Sequence, residues 1–248
     1  IVLGTALVDM YAKCGLLAKA QLVLEELPAR NVVSWSALIV GYAQQGHGHK
    51  ALNCFTRMQS EGLLPDAVTF ICILRACSTM GDIERGEKIH EEIANRGLLR
   101  KNIVLGNSLI DMYVKCGMLA KAEAVLKELT IRDVVSWSSL IDGYAQQGRC
   151  HAALSCFRQM QSEGFSPNAV TFICILKACG STGAIAKGKE IHDEIVNRGF
   201  LLKDITIGTS LVDMYAKCGA LGKAQQVLEE LPVRDVVAWN AMISGYAQ

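Results

Sequence analysis

Three features of the 248-residue sequence predict an all-α solenoid of stacked helix-turn-helix repeats. The chain repeats itself: Trp35, Trp137 and Trp239 stand 102 residues apart within VVSWS, VVSWS and VVAWN, and residues 32–66 match 134–168 at 24 of 35 positions. Apolar residues recur at helical steps, in runs that stop at Gly or Pro. Strand-like alternation is nearly absent. Neither helix of a pair can bury its apolar stripe alone, so neighbouring pairs must stack.

Taken in order, the first helix carries Leu7, Met10, Tyr11 and Cys14 and stops at Gly15. The second carries Ala20, Val23, Leu24 and Leu27, an i, i+3, i+4, i+7 stripe that Pro28 breaks. Gly46, Gly81, Gly117, Gly148, Gly183 and Gly219 occupy the Gly15 position in the segments that follow. Segments of 31 residues lie at 1–31, 103–133 and 205–235, of 35 at 32–66 and 134–168, and of 36 at 67–102 and 169–204. A partial segment at 236–248 completes one array over 1–248.

Charge is nearly balanced, 25 Lys+Arg against 24 Asp+Glu, which argues against a grip on nucleic acid mainly through phosphates but permits a local Lys stripe. None of the ten Cys forms a CxxC. Cys14, Cys116 and Cys218 recur at one spacing, as do Cys54 and Cys156, Cys72 and Cys174, and Cys77 and Cys179, while Cys150 lacks an equivalent. They read as free thiols serving as small core hydrophobes in a reducing interior. The apolar run Phe70-Ile71-Cys72-Ile73-Leu74 stops at Arg75, far short of the roughly 18 residues of a membrane span, so no membrane association is expected. Ile at position 1, with no signal or transit peptide before the pattern, points to a trimmed fragment without its targeting information.

At these residues the chain resembles the plant pentatricopeptide repeat family, in its subclass of mixed standard, long and short repeats. LVDMYAKCG and LIDMYVKCG, with LPARN, TIRD and LPVRD at the segment ends, are similar to the short type. SWSALIVGYAQQG followed by MQSEGLLPD is similar to the standard type, and TFICILRACSTMGDIERGEKIH to the long type. A tetratricopeptide array would instead repeat uniformly near 34 residues. The resemblance implies a right-handed superhelix that binds single-stranded RNA, one base per repeat.

On the first helix, positions 2, 5, 9 and 13 follow i+3 and i+4 steps and are expected to form one exposed row on the concave face. In the first repeat these are Val2, Thr5, Asp9 and Lys13. In the family, position 5 and the last residue contact one base and position 2 helps sandwich it. The last position also has a chemistry of its own: ionised Asp only accepts, which suits the imino N–H of U or G, whereas Asn can donate to the ring nitrogen of A or C. The further choice, Ser or Thr for purine and Asn for pyrimidine at position 5, rests on the resemblance alone. Thr5 with Asn31 then implies A, Ser36 with Asp66 G, Asn107 with Asp133 U, Ser138 with Asn168 A, and Thr209 with Asp235 G. The long repeats pair Ile71 with Asn102 and Ile173 with Asp204, which should discriminate weakly, and Asn240 starts an incomplete pair. The implied target is 5′-A-G-n-U-A-n-G-3′.

Val2, Val33, Val68, Val104, Val135, Val170 and Val237 occupy position 2, with Thr206 in the remaining repeat; they suit either a base clamp or helix-start packing. Lys13, Lys115 and Lys217 lie about 12 Å beyond position 5 at the helical rise. They suit phosphate contacts, ion pairs with Asp9, Asp111 and Asp213 in the favourable acid-first order, or both. Three phosphate contacts would give a log–log salt slope near −2, at about −0.7 each.

Other chemistries find little support. His90-Glu91-Glu92 and His192-Asp193-Glu194 contain HxE, half of a zinc deaminase signature, but no PCxxC follows and both His hold equivalent second-helix positions. Gln45-Gly46-His47-Gly48 lacks a P-loop Lys-Ser or Lys-Thr, and His47 and His49 are not a metal pair. No catalytic constellation, cofactor or metal is expected, so the chain reads as a non-enzyme. By resemblance it would position cytidine-to-uridine editing in a chloroplast or mitochondrion. The competing reading is a protein-interaction solenoid. Both can hold, since relatives of this subclass bind organellar editing factors of the MORF/RIP type, with long repeats contributing. An uncapped face around Met242 and Ile243 is expected to allow end-to-end association.

Overall fold

A computed structural model describes residues 2–100, 102–201 and 204–247; the outermost repeat limits, residues 1 and 248, lie outside them. Among the described residues there are fifteen α-helices and no strand. The first helices of the pairs are α1 (Val2–Lys13), α3 (Val32–Gln44), α5 (Ala67–Met80), α7 (Ile103–Lys115), α9 (Val134–Gln146), α11 (Ala169–Thr182), α13 (Ile205–Lys217) and α15 (Val236–Tyr246). The second helices are α2 (Leu17–Glu26), α4 (Gly48–Ser60), α6 (Ile83–Asn95), α8 (Leu119–Glu128), α10 (Cys150–Ser162), α12 (Ile185–Asn197) and α14 (Leu221–Glu230).

The helices form two compact units, one ending at Ile131 and the other starting at Arg132. In the first, α1, α3, α5 and α7 pack side by side in chain order, and α2, α4 and α6 each touch their own first helix and the next one. The second unit repeats this with α9, α11, α13 and α15, bridged by α10, α12 and α14. Among the described residues no helix is long and apolar enough to cross a membrane.

Local sequence sets the ends of the elements. The seven Gly at the Gly15 position all take φ between 66° and 78°, the left-handed conformation that Gly adopts without a Cβ clash. At their N-termini, the first helices after α1 are capped by the last residue of the preceding segment: Asn31, Asp66, Asn102, Asp133, Asn168, Asp204 and Asp235 each accept a backbone N–H from the first turn. Such a cap is worth about 1 kcal/mol.

The core lies between the two helix layers of each unit. Phe70, Ile73, Leu74 and Cys77 of α5 are fully buried, and their equivalents Phe172, Ile175, Leu176 and Cys179 fill α11. Trp35 and Trp137 are buried, and Trp35 donates from Nε1 to Glu61 at 2.9 Å. Short-repeat and standard-repeat first helices approach through Gly: a Cβ on Gly41 would lie 2.9 Å from Ala12 Cβ, and one on Gly245 2.7 Å from Ala216 Cβ.

Two expectations need correction. Met10 and Cys14 are exposed, although the equivalents of Met10, Met112 and Met214, are fully buried and those of Cys14, Cys116 and Cys218, half-buried, because α1 packs against α2 and α3 alone. Met242, expected on the uncapped face, is buried on α15, whose exposed large apolar groups are Val236, Val237, Trp239, Ile243 and Tyr246.

Candidate nucleic-acid interface

The position-2 Val residues stand out on the first helices, with Val2 85% exposed and Val33, Val68, Val104, Val135, Val170 and Val237 exposed as well. Thr206 is also exposed, though its Oγ1 donates to Asp204 at 2.5 Å. Position 5 departs from the expected exposed row. Ser36, Ser138 and Thr209 are only 7%, 6% and 9% exposed, because neighbouring first helices meet there and enclose a short side chain. Asn107, Ile71 and Ile173 are half-buried, and Asn240 is exposed. Position 5 is thus the floor of the row, not its crest.

The floor is polar where it matters. Ser36 Oγ lies 2.5 Å from Thr69 Oγ1, and Thr69 Oγ1 donates to Asp66 Oδ1 at 2.7 Å. In the second unit Ser138 Oγ lies 2.7 Å from Thr171 Oγ1, which donates to Asn168 Oδ1 at 3.0 Å. Thr209 instead donates to its own helix at Ile205 O, 3.0 Å away, and Thr5 Oγ1 is buried without a partner. A groove of about 330 Å³ in the second unit brings Thr209 and Asp213 together with Val237 and Asn240.

Capping orients the last residues. Asn31 accepts Ser34 N–H through Oδ1 at 2.8 Å, and Asn168 accepts Thr171 N–H at 2.9 Å. The backbone donor therefore selects which amide end turns inward and directs Nδ2 away from the helix. Asp66 accepts Thr69 N–H at 2.8 Å through the same oxygen that takes the Thr69 hydroxyl, which turns Oδ2 outward. Asp133, Asp204 and Asp235 accept in the same way from Ser136, Thr206 and Ala238, and Asn102 from Leu105. Sequence reasoning missed this role. Its signal is Asn or Asp three residues before Ser or Thr, as in Asn31–Ser34, Asp66–Thr69, Asp133–Ser136 and Asn168–Thr171.

Lys13, Lys115 and Lys217 pair with Asp9, Asp111 and Asp213 at 2.7, 2.8 and 2.7 Å. Such exposed pairs are worth about 0.3–0.5 kcal/mol and yield readily to a phosphate. Two cations were overlooked: Arg75 and Lys177, at position 9 of the long repeats, are exposed on the same row.

The remaining polar clusters are structural. His90 and His192 bond through Nδ1 to Tyr113 and Tyr215 hydroxyls at 2.9 and 3.0 Å, tying α6 to α7 and α12 to α13. Burial lowers both His pKa values, against the pull of nearby carboxylates. Burial likewise pushes the thiols of Cys77, Cys174 and Cys179 up to about 12. No cluster of three or more potential metal-binding side chains occurs among the described residues.

A family model described as "PPR repeat" matches residues 5–32, 68–98, 107–134, 209–236 and 237–248, and a second, "PPR repeat family", matches 30–79 and 132–181. The chain belongs to the PPR repeat family. Relatives in the PPR family include the chloroplastic pentatricopeptide repeat-containing protein At4g18520 of Arabidopsis thaliana, 36% identical over 100% of this chain and 40% of that protein. The chloroplastic At1g11290 of the same plant is 41% identical over 98% of this chain and 30% of its own length. The chain thus spans less than half the length of these PPR relatives. A crystal structure of the pentatricopeptide repeat protein PPR10 with an 18-nt psaJ RNA element shares the fold, with a TM-score of 0.81 at 19% identity over 98% of this chain and 37% of that one. PPR10 from maize, solved separately, gives a TM-score of 0.73 at 23% identity over 97% of this chain and 36% of that one.

Proposed function

We propose that this PPR array binds single-stranded RNA selectively, reading 5′-A-G-n-U-A-n-G-3′ through the residue pairs set out above. The observation that carries this reading is the capping geometry. It holds one end of each last residue against the helix and turns the other outward, a donor in Asn31 and an acceptor in Asp66. The position-2 Val residues flank that edge as clamps, and Lys13, Lys115, Lys217, Arg75 and Lys177 supply phosphate contacts. The ordered segment lengths support the subclass of mixed standard, long and short repeats, and with it a place in an organellar RNA-editing factor. Relatives named chloroplastic and mitochondrial favour either organelle. Catalysis is assigned to no residue of this chain.

A protein partner is favoured by one further observation. Ile71 and Ile173 leave the long repeats without a polar group at position 5, so these repeats are free to serve contacts with editing-factor proteins. Trp239, Ile243 and Tyr246 offer a surface for end-to-end association; a monomeric sedimentation profile up to millimolar protein would exclude it. The primary test is fluorescence anisotropy of labelled RNA containing AGNUANG against a scrambled RNA and the DNA version. Selective binding supports the reading; sequence-blind binding refutes it in favour of a protein-binding array.

A further inference from the structure

We infer that Thr69 and Thr171, buried third residues of the long repeats, are positioning residues that set the specificity of the standard repeats before them. The inference rests on the RNA-binding reading and deepens it. Asp66 is an acceptor only, so the single proton of Thr69 is spent on it at 2.7 Å. The contact of 2.5 Å between Ser36 and Thr69 is then a bond in which Ser36 donates. Ser36 is left with lone pairs alone to show to a base. Both reading groups of this repeat are therefore acceptors, bound to each other through a third residue that touches no RNA.

The same logic holds in the second unit. Thr171 Oγ1 donates to Asn168 Oδ1 and accepts the Asn168 N–H at 3.3 Å, so Ser138 must donate to its remaining lone pair. Thr69 and Thr171 are fully buried, so the links are shielded from water. At two of the short repeats the hydroxyl does not make this link: Ser34 Oγ donates back to Asn31 O at 2.9 Å, and Ala238 has no hydroxyl, whereas Ser136 Oγ donates to Asp133 Oδ1 at 2.9 Å as Thr69 does to Asp66.

The chemical consequence is specific. An acceptor-only Ser beside an acceptor Asp requires two donors on one base edge. A and C offer an exocyclic amine alone and U an imino N–H alone, whereas G offers both. Guanine alone meets both demands at Ser36–Asp66, without recourse to any code. At Ser138–Asn168 an acceptor Ser stands beside the Asn donor, so the base must offer one donor and one acceptor, as the Watson–Crick edge of A does.

The test replaces that G by inosine, which lacks the amine, and measures affinity by anisotropy for the intact chain, Thr69→Val and Thr69→Ser. The intact chain should prefer G to inosine about fivefold, the ratio that one neutral hydrogen bond carries. Thr69→Val should lose that preference, Thr69→Ser should restore it, and preference at the Ser138–Asn168 nucleotide should not change. Should Thr69→Val fail to fold, Thr171→Val gives the parallel reading with A replaced by purine riboside. A Thr69→Val protein that keeps its preference for G over inosine overturns the inference while RNA reading stands. An intact chain with no base preference overturns both.

Discussion

Replacing Asp66 by Asn and by Ala separates its capping of α5 from its proposed base reading. Oδ1 of Asp66 takes the Thr69 backbone N–H at 2.8 Å and its hydroxyl at 2.7 Å, and Thr69 is fully buried. Ala removes the acceptor and strands both donors. The lost cap and the buried hydroxyl together cost about 2 kcal/mol, a fall of about 4–8 °C in Tm for a chain of this size. Asn caps as well as Asp and forfeits only the favourable charge at the helix N-terminus, about 0.5 kcal/mol. It turns an amide donor outward where the carboxylate presented an acceptor. Asp66→Asn should therefore keep its stability and change its preferred nucleotide from G to A, whereas Asp66→Ala should lose both stability and preference. Thermal unfolding by circular dichroism and anisotropy with the G- and A-containing RNAs read the two effects apart. An Asp66→Ala protein as stable as the parent, or an Asp66→Asn protein that melts with it, would refute the assignment of the cap.

Further outcomes are expected elsewhere. Gly41→Ala should destabilise by about 1–2 kcal/mol in urea titrations, because the new Cβ meets Leu17 Cδ2 at 2.8 Å and Ala12 Cβ at 2.9 Å and overpacking outweighs the gain in helix propensity. Arg75→Ala with Lys177→Ala should flatten the log–log salt dependence of RNA affinity by about 0.7 per residue, with base preference intact. Burial lowers the pKa of His90 and His192 below its unfolded value, so the unfolded chain takes up protons first. Stability should be full above the unfolded value near 6.5 and decline as pH falls through the folded values, and His90→Gln with His192→Gln should flatten a plot of Tm against pH. Exposed Cys14 should react with a thiol reagent in the native state, while Cys77, Cys174 and Cys179, raised to about 12 by burial, react only on unfolding.

The helices and their ends were legible because local chemistry specifies them. Gly15 and its equivalents end first helices in the conformation that favours Gly, and the apolar steps of α5 and α11 mark the buried face. Exposure at single positions was not legible, since it depends on whether a neighbour covers the stripe. Met10 and Met112 are equivalent in sequence, yet α7 is covered where α1 is not. Ser36 could not be recognised as buried, because the helix that encloses it carries Thr69, which is 33 residues away. The His90 string carries half of a metal motif, which the missing PCxxC already argued against, and its Nδ1 lies 2.9 Å from the Tyr113 hydroxyl. The caps were different. Asn31 and Ser34 stand at capping-box spacing, and that signal was available before any coordinates.

The caps also bear on how such an array can be recombined. Asp66 ends one segment by count but belongs mechanically to α5, and it is linked to Ser36 only through Thr69. A cassette cut at the boundary between 66 and 67 would carry both reading groups and leave behind the hydroxyl that joins them. If Ser36 and Asp66 read G as proposed, the unit of exchange runs past the seam, through the first turn of the following helix, and grafts made to that limit should transfer specificity where boundary-to-boundary grafts transfer only the fold.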